Sequence, residues 1–218
     1  MARALPRRTA ARVRHAAGRR RSREVLGAVS PDVTEATAKA VAVLGARTDI
    51  ELASASPPRF NDWAPARLVP LFADMLDVHR GQGWYPHPPA PYGADMRAAL
   101  DRAAAITPAD LIATLRTTAP LVERFMDCLI GNDLLLLPTT ERTAPERRGL
   151  DRQERPYNPG ALLRLCAPAN WCRLAAVSVP CEVSPDGLPI GVQFVGRDDA
   201  TLIACAARSE AEAHPAAP

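Results

Sequence analysis

From Ser30 onward the apolar positions of the chain follow helical and strand spacing in turn. Val33, Ala36, Ala40, Val41 and Leu44 recur at helical intervals. Ser30 stands where an N-cap belongs, Pro31 suits the first helical position, Asp32 complements the positive helix end, and Gly45 closes the run. A polar, extended-looking stretch with Pro57 and Pro58 follows, then a second helical run from about Ala66 to His79. Residues 81–93 are too rich in Pro and Gly for regular structure and predict a loop, whose Trp84, Tyr85 and Tyr92 either line a pocket or pin the loop to the body. Thr107, Pro108 and Asp110 read as N-cap, first-turn proline and capping-box acid of a helix running to about Ile130 and broken by Gly131.

Leu134 to Leu137 is a short continuous apolar run, the pattern of a strand covered on both faces. A polar, Arg-rich loop is expected from about Thr139 to Asn158. Residues 174–181 and 189–195 read as two strands joined by a turn at Pro185, Asp186 and Gly187, and Asp198-Asp199 start a last helix to about Glu212. Helices and buried strands interleaved in this way imply an α/β layered architecture.

Composition narrows the function classes. The 218 residues are 47% hydrophobic and 23% charged, which is enough to bury a core. No apolar run approaches the roughly 18 residues of a membrane span. The net charge of +3 argues against a uniformly basic nucleic-acid coat. Five cysteines without a CxxC pair predict reduced thiols in a cytoplasmic protein, and the four scattered histidines offer no metal-ligand spacing. Neither a metal site nor a Gly-rich phosphate loop is expected. Nine arginines and no acid occupy the first 23 residues, so residues 1–29 are expected to be a disordered Arg-rich lead-in, with a transit-like segment or a basic nucleic-acid arm as the alternatives. Residues 30–213 are expected to form the α/β domain and 214–218 a tail.

The last 90 residues carry a more specific signal. Asp133, a Leu run, Pro138-Thr139 and Ala144-Pro145 are followed by Ala169-Asn170 and by Ala176-Val-Ser178-Val-Pro180-Cys181. Gly187-Leu-Pro-Ile-Gly191-Val-Gln193-Phe-Val-Gly196 and a closing helix come next. This ordered set resembles the C-terminal portion of the amidase signature family, serine hydrolases that cleave carboxamide C–N bonds. The likeness runs over about 30–212 and is strongest from 133. It implies an amidase-type fold, a mixed sheet covered by helices, incomplete at the N-terminal side.

The same resemblance implies a Ser–cis-Ser–Lys triad beside a Gly-Gly-Ser-Ser-Gly loop, because a serine hydroxyl needs a base and its oxyanion needs backbone donors. This chain has no Gly-Gly and no Ser-Ser dipeptide, and none of its seven serines lies in a Gly-rich loop. Its one lysine, Lys39, lies mid-helix four residues after Glu35, where an ordinary ion pair is expected. Ser178 lacks a nucleophile elbow, and Cys181 has no histidine near it in sequence. No catalytic residue is therefore assigned. Asn170, Trp171 and Gln193 are the candidate substrate contacts, with structural roles for Asn170 and Gln193 as the competing reading. Where the family usually has Gly this chain has Arg173 and Glu182, and where it usually has Pro it has Ala175. Arg173 and Glu182 are placed to pair across a bend.

The expectation is thus the back half of an amidase, supplying sheet and pocket wall and inactive alone. Its partner would be the triad-bearing half, in a longer chain or a separate subunit, with a small carboxamide as substrate, no cofactor, no membrane, and room for a homodimer. A free-standing amidase and an amidotransferase subunit fit equally. A non-catalytic remnant of a truncated gene is the alternative reading, and a nucleic-acid-binding protein acting through the Arg-rich arm is a weaker one.

Overall fold

The computed structural model describes residues 11–16, 19–86, 92–145 and 162–213. Its strands are β1 (Ala11–Ala16), β2 (Ile50–Ala55), β3 (Leu134–Pro138), β4 (Ala175–Val183) and β5 (Pro189–Gly196). The helices are α1 (Arg19–Leu26), α2 (Pro31–Gly45), α3 (Ala64–Gly81), α4 (Ala94–Ala104), α5 (Pro108–Asp127), α6 (Ala167–Trp171) and α7 (Asp199–Ala213), with a 3-10 turn over Phe60–Trp63. They form two compact units, one of residues 1–61 and 122–218 and one of residues 62–121.

The first unit is a mixed five-stranded sheet in the order β2-β1-β3-β5-β4. β1 runs parallel to both β2 and β3, whereas β5 is antiparallel to β3 and β4. Leu134 and Leu136 of β3 join Val13, Val192, Phe194 and Val179 in one core layer. That layer packs on Ala40 and Leu44 of α2 and on Leu202, Cys205 and Ala206 of α7. Successive strand residues point to opposite faces, so Leu135 and Leu137 bury the other side. β3 is therefore buried along its whole length, as its unbroken apolar run predicted. The β4–β5 hairpin turns at Gly187, whose φ of +79° is the left-handed conformation that a residue without Cβ adopts freely.

Within the lead-in expected to be disordered over residues 1–29, the structure has a strand over Ala11–Ala16 and a helix over Arg19–Leu26; residues 1–10, 17 and 18 lie outside the described part. β1 sits between β2 and β3, held at its start by Arg12 N–H to Asp133 Oδ2 at 2.8 Å and by Asp133 N–H to Arg12 O at 2.9 Å. Arg12 also meets Glu51 of β2 at 3.1 Å. Strand pairing on both sides outweighs the arginine content that pointed to solvent. Ser30 occupies the N-cap position of α2, but its hydroxyl makes no cap bond to the helix. Its N–H donates to Glu141 O at 2.8 Å.

The second unit, residues 62–121, lies within the α/β region expected over 30–213. In the second unit, α3 packs on α4 through Leu76, Leu100 and Ala103. Tyr85 and Tyr92 lean on this small core, Tyr85 donating to Asp101 at 2.8 Å and Tyr92 paired with His79 Nδ1. The two tyrosines therefore pin the described ends of the 81–93 loop to the helices; residues 87–91 lie outside the description. Helix α4 had no counterpart in the sequence reading. The capping box of α5 is formed as predicted, with Thr107 N–H to Asp110 Oδ2 at 2.9 Å and Asp110 N–H to Thr107 Oγ1 at 3.2 Å.

Candidate functional site

The motif residues converge where β3 ends beside the start of β5. Pro138 closes β3, and Thr139 N–H donates to Gly191 O at 3.0 Å, carrying the chain past β5. In an open α/β sheet the carboxyl ends of the strands are where ligands collect.

Gln193 is the one polar side chain on the inner length of β5 and is 3% exposed. Its amide nitrogen donates to Pro138 O at 3.1 Å and to Leu165 O at 3.0 Å. A buried amide needs such partners, and here they tie the end of β3 to the segment entering α6. Asn170 is exposed near the end of α6, and Trp171 beside it is half-buried. The structure thus places Asn170 and Trp171 together, while the amide nitrogen of Gln193 is committed to the backbone carbonyls of Pro138 and Leu165.

Gly191 opens the surface at this point. A Cβ there would lie 3.1 Å from Ser178 Oγ and 3.3 Å from Thr139 Oγ1. These two hydroxyls are themselves hydrogen-bonded at 2.6 Å, and Ser178 is exposed. Gly196 has a different reason to be glycine: a Cβ would lie 2.7 Å from both Asp133 O and Leu134 Cδ2, so the strand could not approach its neighbour.

Behind Thr139 lies a buried ion pair that sequence reasoning missed. Arg164 Nε donates to Glu141 Oε2 at 2.8 Å, with side-chain exposures of 8% and 10%. The guanidinium is satisfied further by Leu26 O, by Asn61 Oδ1 at 3.2 Å and by Ala28 O at 3.2 Å. Burial pushes the Glu141 carboxyl up, but hydrogen bonds from Arg142 and Arg164 outweigh it and hold it below its ordinary range. The bonds stitch residues 26–30, Asn61 and the β3 exit into one body. Residues 146–161 of the loop lie outside the description.

The sequence departures find distinct answers. Arg173 has φ +51°, the left-handed region that favours glycine, which accounts for the glycine the resemblance implies at this position. It does not pair with Glu182 across a bend: Glu182, beside a register shift in β4, accepts from Lys39 Nζ at 3.0 Å. Lys39 also meets Glu35 at 3.4 Å, the expected i,i+4 pair. The hydrogen bond to Glu182 raises the Lys39 pKa above its usual value, which keeps the ammonium charged and unfit as a base. Burial pushes the Cys181 thiol up to about 11, against a role as a thiolate nucleophile. Among the described residues no group of three His, Cys, Asp or Glu side chains is placed to hold a metal ion, and no helix is long and apolar enough to cross a membrane.

The family model for amidases matches residues 20–202. This chain belongs to the amidase family. It is 29% identical over 191 residues to a fatty acid amide hydrolase of Medicago truncatula, a match covering 83% of this chain and 30% of the relative. A 6-aminohexanoate-cyclic-dimer hydrolase of Paenarthrobacter ureafaciens is 40% identical over 101 residues, 40% of this chain and 20% of that one. Among solved structures, an amidase superposes with a TM-score of 0.77 at 21% identity, over 96% of this chain and 47% of its own. Allophanate hydrolase from Kluyveromyces lactis gives 0.76 at 19%, over 95% of this chain and 33% of its own. At such identities these structures establish the fold, a mixed sheet flanked by helices. The amidase chain described here spans a third or less of these curated relatives and less than half of these solved chains.

Proposed function

We propose that this chain is the C-terminal part of a hydrolase of carboxamide C–N bonds and works only with a triad-bearing amidase segment, in the same polypeptide or in a separate subunit. One observation carries this reading: the family match fills most of the chain while the chain fills 30% of the Medicago relative and 47% of the solved amidase. The residues present support it. Acyl-enzyme chemistry needs a serine whose proton is taken by a neighbouring base. Lys39 is held charged by Glu182 and Glu35, and Ser178 has Thr139 rather than a base as its partner. The chemistry therefore falls to residues outside these 218.

In this arrangement the chain contributes the sheet and one wall of the substrate pocket. Gln193 shapes the wall from within, while Asn170 and Trp171 stand on its substrate side. The outer edge of β4 is unpaired among the described residues and is the natural seam for the triad-bearing segment. Five free cysteines suit a reducing, cytoplasmic setting.

The test is the intact mass of the native protein captured from its source cells with an antibody to residues 187–212. A species near twice 23.4 kDa, or a 23.4 kDa species that co-purifies with a second amidase-family polypeptide, is expected. The purified 218-residue chain should release no ammonia from carboxamides. Ammonia release by that chain, lost when Ser178 or Cys181 becomes alanine, would overturn the proposal.

A further inference from the structure

β5 lies between β3 and β4, so side chains from the outer two are two strand spacings apart, roughly 10 Å at the backbone. Thr139 follows β3 and Ser178 belongs to β4, yet their hydroxyls meet at 2.6 Å. They meet over Gly191 of β5, where a Cβ would press on both at 3.1 and 3.3 Å and on Val179 O at 3.2 Å. The absent side chain is what lets the hydroxyls join. Ser178 is exposed and Thr139 is partly so, which leaves the pair open to a ligand.

A hydroxyl has one proton and two lone pairs. When one of the two donates to the other, the second keeps its proton for an outside acceptor, and the first keeps a lone pair for an outside donor. The pair therefore shows a donor and an acceptor side by side, about 2.6 Å apart. A primary carboxamide shows the complement along one edge, a carbonyl oxygen beside the N–H that lies on the same side of the C–N bond. An ester offers only the acceptor.

We propose that Thr139 and Ser178, on the floor left by Gly191, form a two-point subsite for a primary carboxamide group of the substrate. This rests on the reading of the chain as part of a carboxamide hydrolase and adds to it the residues that favour an amide over an ester. Ser178 is here a binding residue, not a nucleophile.

The isolated 218-residue chain, labelled with nitrogen-15, is titrated with hexanamide and with methyl hexanoate. Hexanamide is expected to shift the Thr139, Ser178 and Gly191 resonances saturably, and methyl hexanoate to bind about tenfold more weakly, the size of effect expected for one lost hydrogen bond. Ser178→Ala should abolish the hexanamide shifts without altering the thermal transition, because Ser178 is exposed, and Ser178→Thr should restore them. Gly191→Ala should weaken binding by crowding the hydroxyls. Unmoved resonances at the three positions, equal binding of amide and ester, or unchanged hexanamide affinity in Ser178→Ala would each overturn the subsite. None of these measurements requires catalysis. A failed mass or ammonia experiment would sink the functional reading and leave this titration to judge the subsite by itself.

Discussion

Arg164 donates Nε to Glu141 Oε2 at 2.8 Å inside the protein, and the rest of its guanidinium is shared among the carbonyls of Leu26 and Ala28 and the side chain of Asn61. Removing one member of a buried pair leaves the other charge without compensation, typically at a cost of about 3–5 kcal/mol. Arg164→Met should therefore lower the unfolding free energy by about 3 kcal/mol, the low end because Arg142 remains beside Glu141 at 2.7 Å. Urea denaturation at neutral pH measures it. A loss near zero would mean that the pair is not formed in solution.

The same pair sets an acid dependence. The Glu141 carboxyl has a folded-state pKa below its ordinary 4.5, because the hydrogen bonds from Arg142 and Arg164 outweigh burial. A lowered carboxylate pKa adds stability that is complete above the unfolded value and is lost as pH falls through the folded one. The unfolding free energy should decline below about pH 4.5 with a slope that is shallower, by up to one proton, in Glu141→Gln. Denaturation curves at pH 6, 4 and 3 for both proteins supply the comparison. Identical slopes would show that Glu141 titrates normally.

Arg173 holds φ +51° in the turn between α6 and β4. A side chain in that region costs roughly 1–2 kcal/mol, and glycine relieves it at the expense of a freer unfolded chain. Arg173→Gly should accordingly stabilise the protein by about 0.5–1 kcal/mol. A raised denaturation midpoint with an unchanged slope is the expected result, and a lowered midpoint would place a stabilising contact on the arginine.

These residues also show what the sequence could and could not announce. β3 was legible because four consecutive leucines leave no polar face, and the β4–β5 hairpin was legible because Gly187 marks a left-handed turn between two apolar runs. β1 was hidden. Arg12 and Arg14 flank Val13, which is buried in the core layer, so the pattern reads as a charged arm until β2 and β3 pair with it. The Arg164–Glu141 pair joins positions 23 apart through a polar loop, and no local rule distinguishes these two from the other charges around them. Gln193 could be read as a buried polar group needing partners, but which carbonyls it would reach depended on where the strand before Thr139 and the segment before α6 came to lie. Ser178 and Thr139 each stood in a recognised motif; their meeting over Gly191 required the sheet order.

Gly196 tests close packing at the other end of β5. A Cβ at this position would sit 2.7 Å from the Asp133 carbonyl oxygen, backbone that cannot simply rotate away, and 2.7 Å from a methyl group of Leu134. Overpacking of this kind costs about 1–3 kcal/mol. Gly196→Ala should fall in that range by urea denaturation, whereas Gly187→Ala, with open space around its Cβ, should lose about 1 kcal/mol through its positive φ alone. The two variants separate crowding from backbone strain: a Gly196→Ala protein as stable as the parent would mean that β3 and β5 can part by a few tenths of an ångström without loss.

The thiols give a last, chemical check on the packing. Burial raises both Cys172 and Cys181 to about 11 from an ordinary 9.0. Alkylation proceeds through the thiolate, and two units of pKa reduce the thiolate population at a given pH about 100-fold. At pH 8 both cysteines should therefore react with iodoacetamide about 100-fold more slowly in the folded chain than in urea. Peptide mass mapping over time follows each site separately. Cys181 is only half-buried and lies on edge strand β4, so its slow reaction depends on the hairpin holding its Sγ toward Ile190 O at 3.5 Å. Slow labelling at Cys172 with fast labelling at Cys181 would locate an opening of β4 itself, at the edge proposed above for the triad-bearing segment. That segment should then restore the protection of Cys181 without changing that of Cys172.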